Sequence, residues 1–402
     1  MSNTGWLCQP VFLFYVTGHL VDPGLYFSSV EGISDQRCES MHTFARDPVI
    51  RKVEGKALLD VTIKDVARVA GVSPSTVSRV LAGNPSISLE TQEKVRQVLR
   101  QMNYHPHAGA RSLVTGSSRT IGLITSRPTA QTFATPFFSE VIQGIGSVLE
   151  AEGFNLLLST TQGEANQRRD CLQLMRSRQV DGVILATSRL GDELIDALVA
   201  ERRSFVLIGR PANREGGLSH SDIHFVNNDN TSDAAGAVLH LAGRGHRRIA
   251  LIAGTAHWVY CHDRVLGYRQ GLCEAGLPFA PELVDPGNIT QQDGRAATER
   301  LLALKDPPTA ILAMDDNLAL GALEAALERG MKVPADLAIA GFNDSPITSW
   351  TRPRLTTVRI PVYDLGAIAA RMLVGLLNGI PSRPSQVILP SQIVPRESTV
   401  GS

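Results

Sequence analysis

Residues 62–80 read TIKDVARVAGVSPSTVSRV, and this stretch decides the architecture of the first domain. Ile63, Val66, Ala67 and Ala70 recur on one stripe of a helix. Thr62 is placed to cap it, with Asp65 three residues on as a capping-box partner. Gly71 breaks the pattern. Ser73 then caps a second helix, and Pro74 takes its first position, where a missing N–H costs nothing. Val77, Val80 and Leu81 turn back toward the first helix. Ser75, Thr76, Ser78 and Arg79 are left facing outward. Two short helices, a glycine turn and a small polar face ending in Arg have the shape and chemistry of a head that reads the DNA major groove.

The surrounding charge agrees. The chain of 402 residues has no net charge, with 39 basic and 39 acidic side chains. Residues 61–119 nevertheless carry eight basic groups against three acidic ones, a local balance of +5. A basic module on a slightly acidic body suits a polyanion at one end only. Asn84-Pro85 marks a turn, and Ser88 caps a third helix bearing Val95, Val98, Leu99 and Met102 at helical spacing. The resulting three-helix core is small and marginal alone. Tyr104-His105-Pro106 ends it, and a flexible linker, TGSS at 115–118, follows.

From Thr120 the chain alternates strand-like and helix-like stretches. Runs at 120–125, 155–160, 180–186 and 205–209 read as buried parallel strands, with helices at 136–152, 164–178 and 192–202 between them. A second set follows, with strands at 248–254, 310–314 and 337–342 and helices near 232–243, 263–275, 293–304 and 317–329. Repeated βα units imply parallel sheets with right-handed crossovers. Two sets imply two similar Rossmann-like subdomains, with ligand bound beyond the carboxyl ends of the strands.

Several chemistries find no support. No phosphate-binding loop, dinucleotide fingerprint, zinc-protease helix or hydrolase elbow occurs, so no catalytic constellation, cofactor or metal site is expected. Five scattered cysteines form no C-x-x-C pair, which suits a reduced cytoplasmic protein. No apolar run reaches the length of a membrane span. Residues 1–60 show no periodicity and no signal-peptide pattern. They are read as an unassigned leader, either a disordered arm or a stretch upstream of a true start near Met41.

The segment from Val61 to Gly122 resembles the headpiece and hinge of the LacI/GalR family of bacterial transcription regulators. The stretches TIKDVARVAGVSPSTVSRVL, YHPHAGARSL and TIGLI carry that resemblance. It continues through NNDN at 227–230, GHRRIALIAG at 245–254, DRVLGYRQGL at 263–272, MDDNLALGAL at 314–323, VPADLAIAGFND at 333–344 and PRLTTVRIP at 353–361. It implies an all-α helix-turn-helix headpiece (61–105), a hinge helix and linker (106–119), and an α/β periplasmic-binding-protein-like effector and dimerisation domain (120–402). The two subdomains would comprise 120–227 with 347–380, and 228–346 with 381–402, so that the chain crosses between them near 227, 346 and 380.

The resemblance also implies roles. Pro74, Ser75 and Arg79 would read bases, while Thr76 and Ser78 would contact phosphate, with Thr62 and Ser73 at the helix starts. Ala110, Arg111 and Leu113 match the hinge helix, whose Leu wedges into the minor groove. His107 departs from the Asn of many members, and Gly109 weakens the hinge helix by roughly 1 kcal/mol relative to Ala. The hinge is expected to fold on DNA. Phe137, Phe138, Arg210, Trp258, Arg264, Asp316, Asn343 and Asp344 are the candidate effector residues. Each has a structural alternative: Phe137 as core, Asp316 as a helix cap, Arg264 as a surface charge. Asn343 stands where several members carry Asp. The expected partners are a near-palindromic double-stranded operator, a sugar or sugar derivative, and a second copy of the chain. The last residues carry no leucine heptads, which favours a dimer over a tetramer. A solute-binding protein of a transport system would share the large domain, but it needs an export signal and no headpiece.

Overall fold

The computed structural model describes residues 61–81, 83–104, 117–125, 136–161, 163–186, 188–220, 222–380 and 384–400. The leader and the hinge residues His107, Ala110, Arg111 and Leu113 lie outside them. The chain divides into two units, 1–116 and 117–402.

The first unit holds three helices, α1 (Ile63–Ala70), α2 (Pro74–Leu81) and α3 (Leu89–Gln101). The caps form as the sequence implies. The Thr62 hydroxyl accepts from Asp65 N–H, and the Asp65 carboxylate accepts from Thr62 N–H at 3.1 Å, closing a capping box. Gly71 ends α1 at φ 64°, in the left-handed region that glycine enters freely. The Ser73 hydroxyl accepts from Thr76 N–H at 3.1 Å and starts α2. Val66, Ala67, Ala70, Val77, Val80, Val95, Val98 and Tyr104 bury together as the core. Leu81 departs from expectation. It lies at the C-terminal end of α2 and stays 39% exposed instead of turning inward.

The second unit starts at Ser117, three residues earlier than the sequence pattern suggests. Asp181 accepts hydrogen bonds from Ser118 N–H at 2.6 Å and Arg119 N–H at 2.9 Å, which fastens the end of the linker to this body.

Two six-stranded sheets make up the body. The first contains β1 (Thr120–Thr125), β2 (Asn155–Thr160), β3 (Gly182–Leu185), β4 (Phe205–Ile208), β5 (His224–Asn228) and β11 (Gln386–Leu389), in the order β2-β1-β3-β4-β5-β11. The second contains β6 (Ile249–Ala253), β7 (Val284–Pro286), β8 (Ala310–Ala313), β9 (Ala338–Phe342), β10 (Thr356–Arg359) and β12 (Gln392–Val394), in the order β7-β6-β8-β9-β10-β12. The shared 2-1-3-4-5 order makes the two lobes structural repeats, each with a switch point beside its first strand. They differ at the last strand, since β11 pairs with β5 in parallel and β12 pairs with β10 antiparallel.

Alternation along the strands covers both sheet faces. In the first lobe Ile121, Leu123, Ile184, Val206 and Val226 face α4 (Pro136–Glu152) and α11 (Val362–Leu377). Their neighbours Ile124, Val183, Leu185, Leu207 and Phe225 face α5 (Glu164–Arg176) and α6 (Glu193–Ala200). The second lobe carries α7 (Asn230–Gly243), α8 (Val259–Glu274), α9 (Gln291–Leu302) and α10 (Asp316–Glu328), and the short α12 (Glu397–Val400) closes the chain. Helix pairs approach until backbone touches backbone. A methyl on Gly144 of α4 would stand 2.0 Å from Tyr363 O at the start of α11.

The strand partners relocate two of the three crossings. The first falls after β5 as expected. β10 belongs to the second sheet, so the chain returns to the first lobe between Arg359 and Val362, not near 346. β11 belongs to the first sheet, so the third crossing lies between Leu389 and Gln392, not near 380. Among the described residues no helix is long and apolar enough to cross a membrane.

Candidate nucleic-acid interface and effector cleft

α2 presents the outward face of the headpiece. Val77 and Val80 fix its rotation by burying against α1 and α3, so Pro74, Ser75 and Arg79 are exposed and Thr76 and Ser78 half-buried. The Ser73 hydroxyl is 2.8 Å from both the Ser75 and Thr76 hydroxyls, and this chain of oxygens sits over the N-terminus of α2. Such an N-terminus attracts phosphate, while the Arg79 side chain is long enough to reach a base edge.

In the second unit the strand ends of both lobes face one cavity. The first lobe supplies Phe137, Ser188, Arg210 and the pair Asn227 and Asn228; the second supplies Asn230, Tyr260, Asp263, Arg264, Asp315 and Asn343. Ile208, Val259, Ile360 and Leu365 add apolar wall. Such a mixture of donors, acceptors and apolar surface suits a polyhydroxylated ring.

Arg264 is 4% exposed and fixed on three sides. Its Nε donates to Asn230 Oδ1 at 2.9 Å and its Nη1 to Met314 O at 2.5 Å, with Cζ 4.0 Å above the Phe342 ring. Burial pulls its pKa below the ordinary arginine value, and the nearby acidic groups oppose that shift. The guanidinium is thereby a rigid, positively charged donor at the cleft floor. Arg210, just past β4, donates through Nε to Asp263 Oδ2 at 2.8 Å and through Nη2 to Asp263 Oδ1, and Nη2 also reaches Gly216 O at 2.9 Å. Asp315 caps α10 by accepting from Asn317 N–H at 2.8 Å and accepts from Asn343 Nδ2 at 2.9 Å.

The cleft thus gathers Phe137, Arg210, Arg264 and Asn343 of the sequence-based candidates. The other four stand elsewhere. Phe138 is completely buried in the core, edge-on to Phe137 with centroids 5.5 Å apart. Asp316 is 1% exposed behind the cavity wall, accepting from Ser345 N–H and Thr357 Oγ1, each at 2.7 Å. Burial, reinforced by Asp315, pushes its carboxyl up to about 8. Asp344 turns away to pair with Arg396 at 2.5 Å and Arg359 at 2.6 Å. Asn343 and Asp344 both hold positive φ, 103° and 56°, and this kink sends one side chain into the cleft and the other out. Trp258 is 7% exposed beneath Arg189, whose Cζ lies 4.9 Å from its ring, at a separate contact between the lobes. There Leu190 N–H donates to His257 O at 2.9 Å.

Asp263, Asp315, Asn228, Asn230 and Ser188 escape the sequence reading. The first four lie inside the quoted motifs; Asn228 ends β5, and Asn230 and Asp315 each stand two residues past a strand end, which is the signal that points to them.

A helix-turn-helix reading head and a two-lobed ligand cleft on one chain define a ligand-responsive DNA-binding regulator. The bacterial regulatory proteins of the lacI family match at residues 62–107, and a periplasmic binding protein-like domain matches at 238–399. The catabolite control protein A of Priestia megaterium is 35% identical over 342 residues, covering 85% of this chain and 100% of that protein. Among solved structures, a transcriptional regulator CelR–cellobiose complex is similar at TM-score 0.66 and 31% identity, covering 84% of this chain and 100% of that one. The Lac repressor dimer bound to operator and the anti-inducer ONPF is similar at TM-score 0.72 and 28% identity, covering 84% and 99%. The chain belongs to the lacI family of bacterial regulatory proteins.

Proposed function

We propose that this protein is a homodimeric transcription repressor, working in the cytoplasm, whose operator affinity is set by a sugar or sugar derivative held between the two lobes. Two headpieces related by a two-fold axis would read two half-sites, so the operator is a near-palindrome. Arg79 pairs with a guanine, Ser75 and Pro74 read neighbouring bases, and Thr76 and Ser78 hold phosphates. The ligand biases the relative pose of the lobes and, through the hinge segment, the spacing of the headpieces.

The observation that carries this reading is the pairing of an exposed Pro74–Arg79 face with a cleft floored by Arg264 and walled by Asn and Asp side chains. The cellobiose complex of a relative supports a carbohydrate in the cleft. Selection of bound fragments from a random DNA pool tests it. One enriched near-palindrome, lost in Arg79→Ala, is the expected result; a folded protein that enriches no sequence with or without sugars present would overturn it.

A further inference from the structure

One cation and one anion that line the cleft come from opposite lobes. Arg210 follows β4 in the first lobe, and Asp263 lies on α8 in the second. Their contact is bidentate, and the carboxylate is 4% exposed. The wall carries two positive groups, Arg210 and Arg264, and two negative ones, Asp263 and Asp315, so its formal charge is zero. Arg210 commits its Nε and an Nη2 hydrogen to Asp263.

An anionic ligand that draws Arg210 to itself must part this pair and leave the buried Asp263 carboxylate beside the anion, facing His262 Nδ1 at 3.5 Å instead of the guanidinium, a strongly unfavourable exchange. A neutral polyol avoids that cost, because its hydroxyls can both donate to the carboxylate and accept from the guanidinium. We propose that Asp263 determines specificity: by holding Arg210 it makes the cleft refuse anions. The effector is then an uncharged polyhydroxylated compound, and phosphorylated or carboxylated sugars are excluded. This rests on the effector-cleft reading above.

Inorganic phosphate tests the proposal without DNA or effector, so its outcome is separate from that of the operator selection. Titrations at constant ionic strength compare the full-length protein with Asp263→Asn, Asp263→Ser, Asp263→Glu, Arg210→Gln and Arg264→Gln, each first shown to be folded by circular dichroism. Arg210→Gln and Arg264→Gln each remove one of the two cleft cations, so the heat that survives their combination measures phosphate held elsewhere, including on the headpiece. Above that background the parent protein and Asp263→Glu bind no millimolar phosphate. Asp263→Asn gains affinity by about tenfold or more, Asp263→Ser does the same, and adding Arg210→Gln to either abolishes the gain. Phosphate binding by the parent protein that either Arg210→Gln or Arg264→Gln removes would overturn the proposal. So would folded Asn and Ser variants that still refuse phosphate.

Discussion

Replacing Arg79 by Ala separates reading from folding. Arg79 lies in the last turn of α2 with its side chain in solvent, while the neighbours that hold the helix, Val77 and Val80, are buried. Losing an exposed side chain there changes stability by no more than about 0.5 kcal/mol. Its loss at the operator is larger. A bidentate Arg–guanine contact discriminates by about 1–3 kcal/mol. A two-fold dimer loses one in each half-site, so the total is about 2–6 kcal/mol, or roughly 30-fold to 10⁴-fold in affinity. Fluorescence anisotropy on a labelled operator reads this directly, with the guanine replaced base by base. The variant should lose its preference at that position while keeping nearly the parental salt dependence. A uniform loss across all bases, with the salt slope reduced by about 1.8, would show two phosphate contacts instead and refute base reading by Arg79.

Two further outcomes follow from the packing. Val95→Ala empties a fully buried site in a headpiece core of eight buried side chains among the described residues, and should cost about 2 kcal/mol, enough to make the headpiece lose protection in hydrogen exchange while the second unit keeps its own. Asp316 has its carboxyl raised to about 8 against an ordinary 3.8, so the folded chain binds this proton more tightly than the unfolded one. Its contribution is complete below pH about 4 and fades as pH rises toward 8, by at most about 1.4 kcal/mol per pH unit. Asp316→Asn should therefore gain stability relative to the parent between pH 5.5 and 8.5 in urea denaturation; a parallel pH profile in the two proteins would refute the raised carboxyl.

The sequence was most legible where the signal is local. The Thr62–Asp65 capping box, the Gly71 stop and the Ser73 cap all formed, because each depends on residues within one turn. Leu81 departs from the pattern because it is the last residue of α2, where periodicity alone does not assign a face. The crossings near 360 and 390 were missed because strand membership of β10 and β11 depends on partners over a hundred residues away for β11 and on a parallel register for β10, neither of which leaves a periodic trace.

The effector cleft shows the same limit at the scale of adjacent residues. Phe137 lines the cavity and Phe138 is core; Asp315 lines it and Asp316 lies behind; Asn343 enters and Asp344 leaves. At each strand end the motif was found, and the choice between neighbours was settled by helix rotation or by a backbone kink. Asp263 and Arg264, one after the other, both reach the cavity, and only the structure reveals that Asp263 answers Arg210 from the other lobe.

On the proposed function, one chain couples a sugar in the cleft to an operator under its headpieces. The most direct test of that coupling is a linked pair of titrations: operator affinity with and without a saturating sugar identified by thermal-shift screening, and affinity for that sugar with and without operator. Coupling requires the two ratios to be equal, with a factor of about 5 to 150. Two affinities that each ignore the other ligand would rule that coupling out.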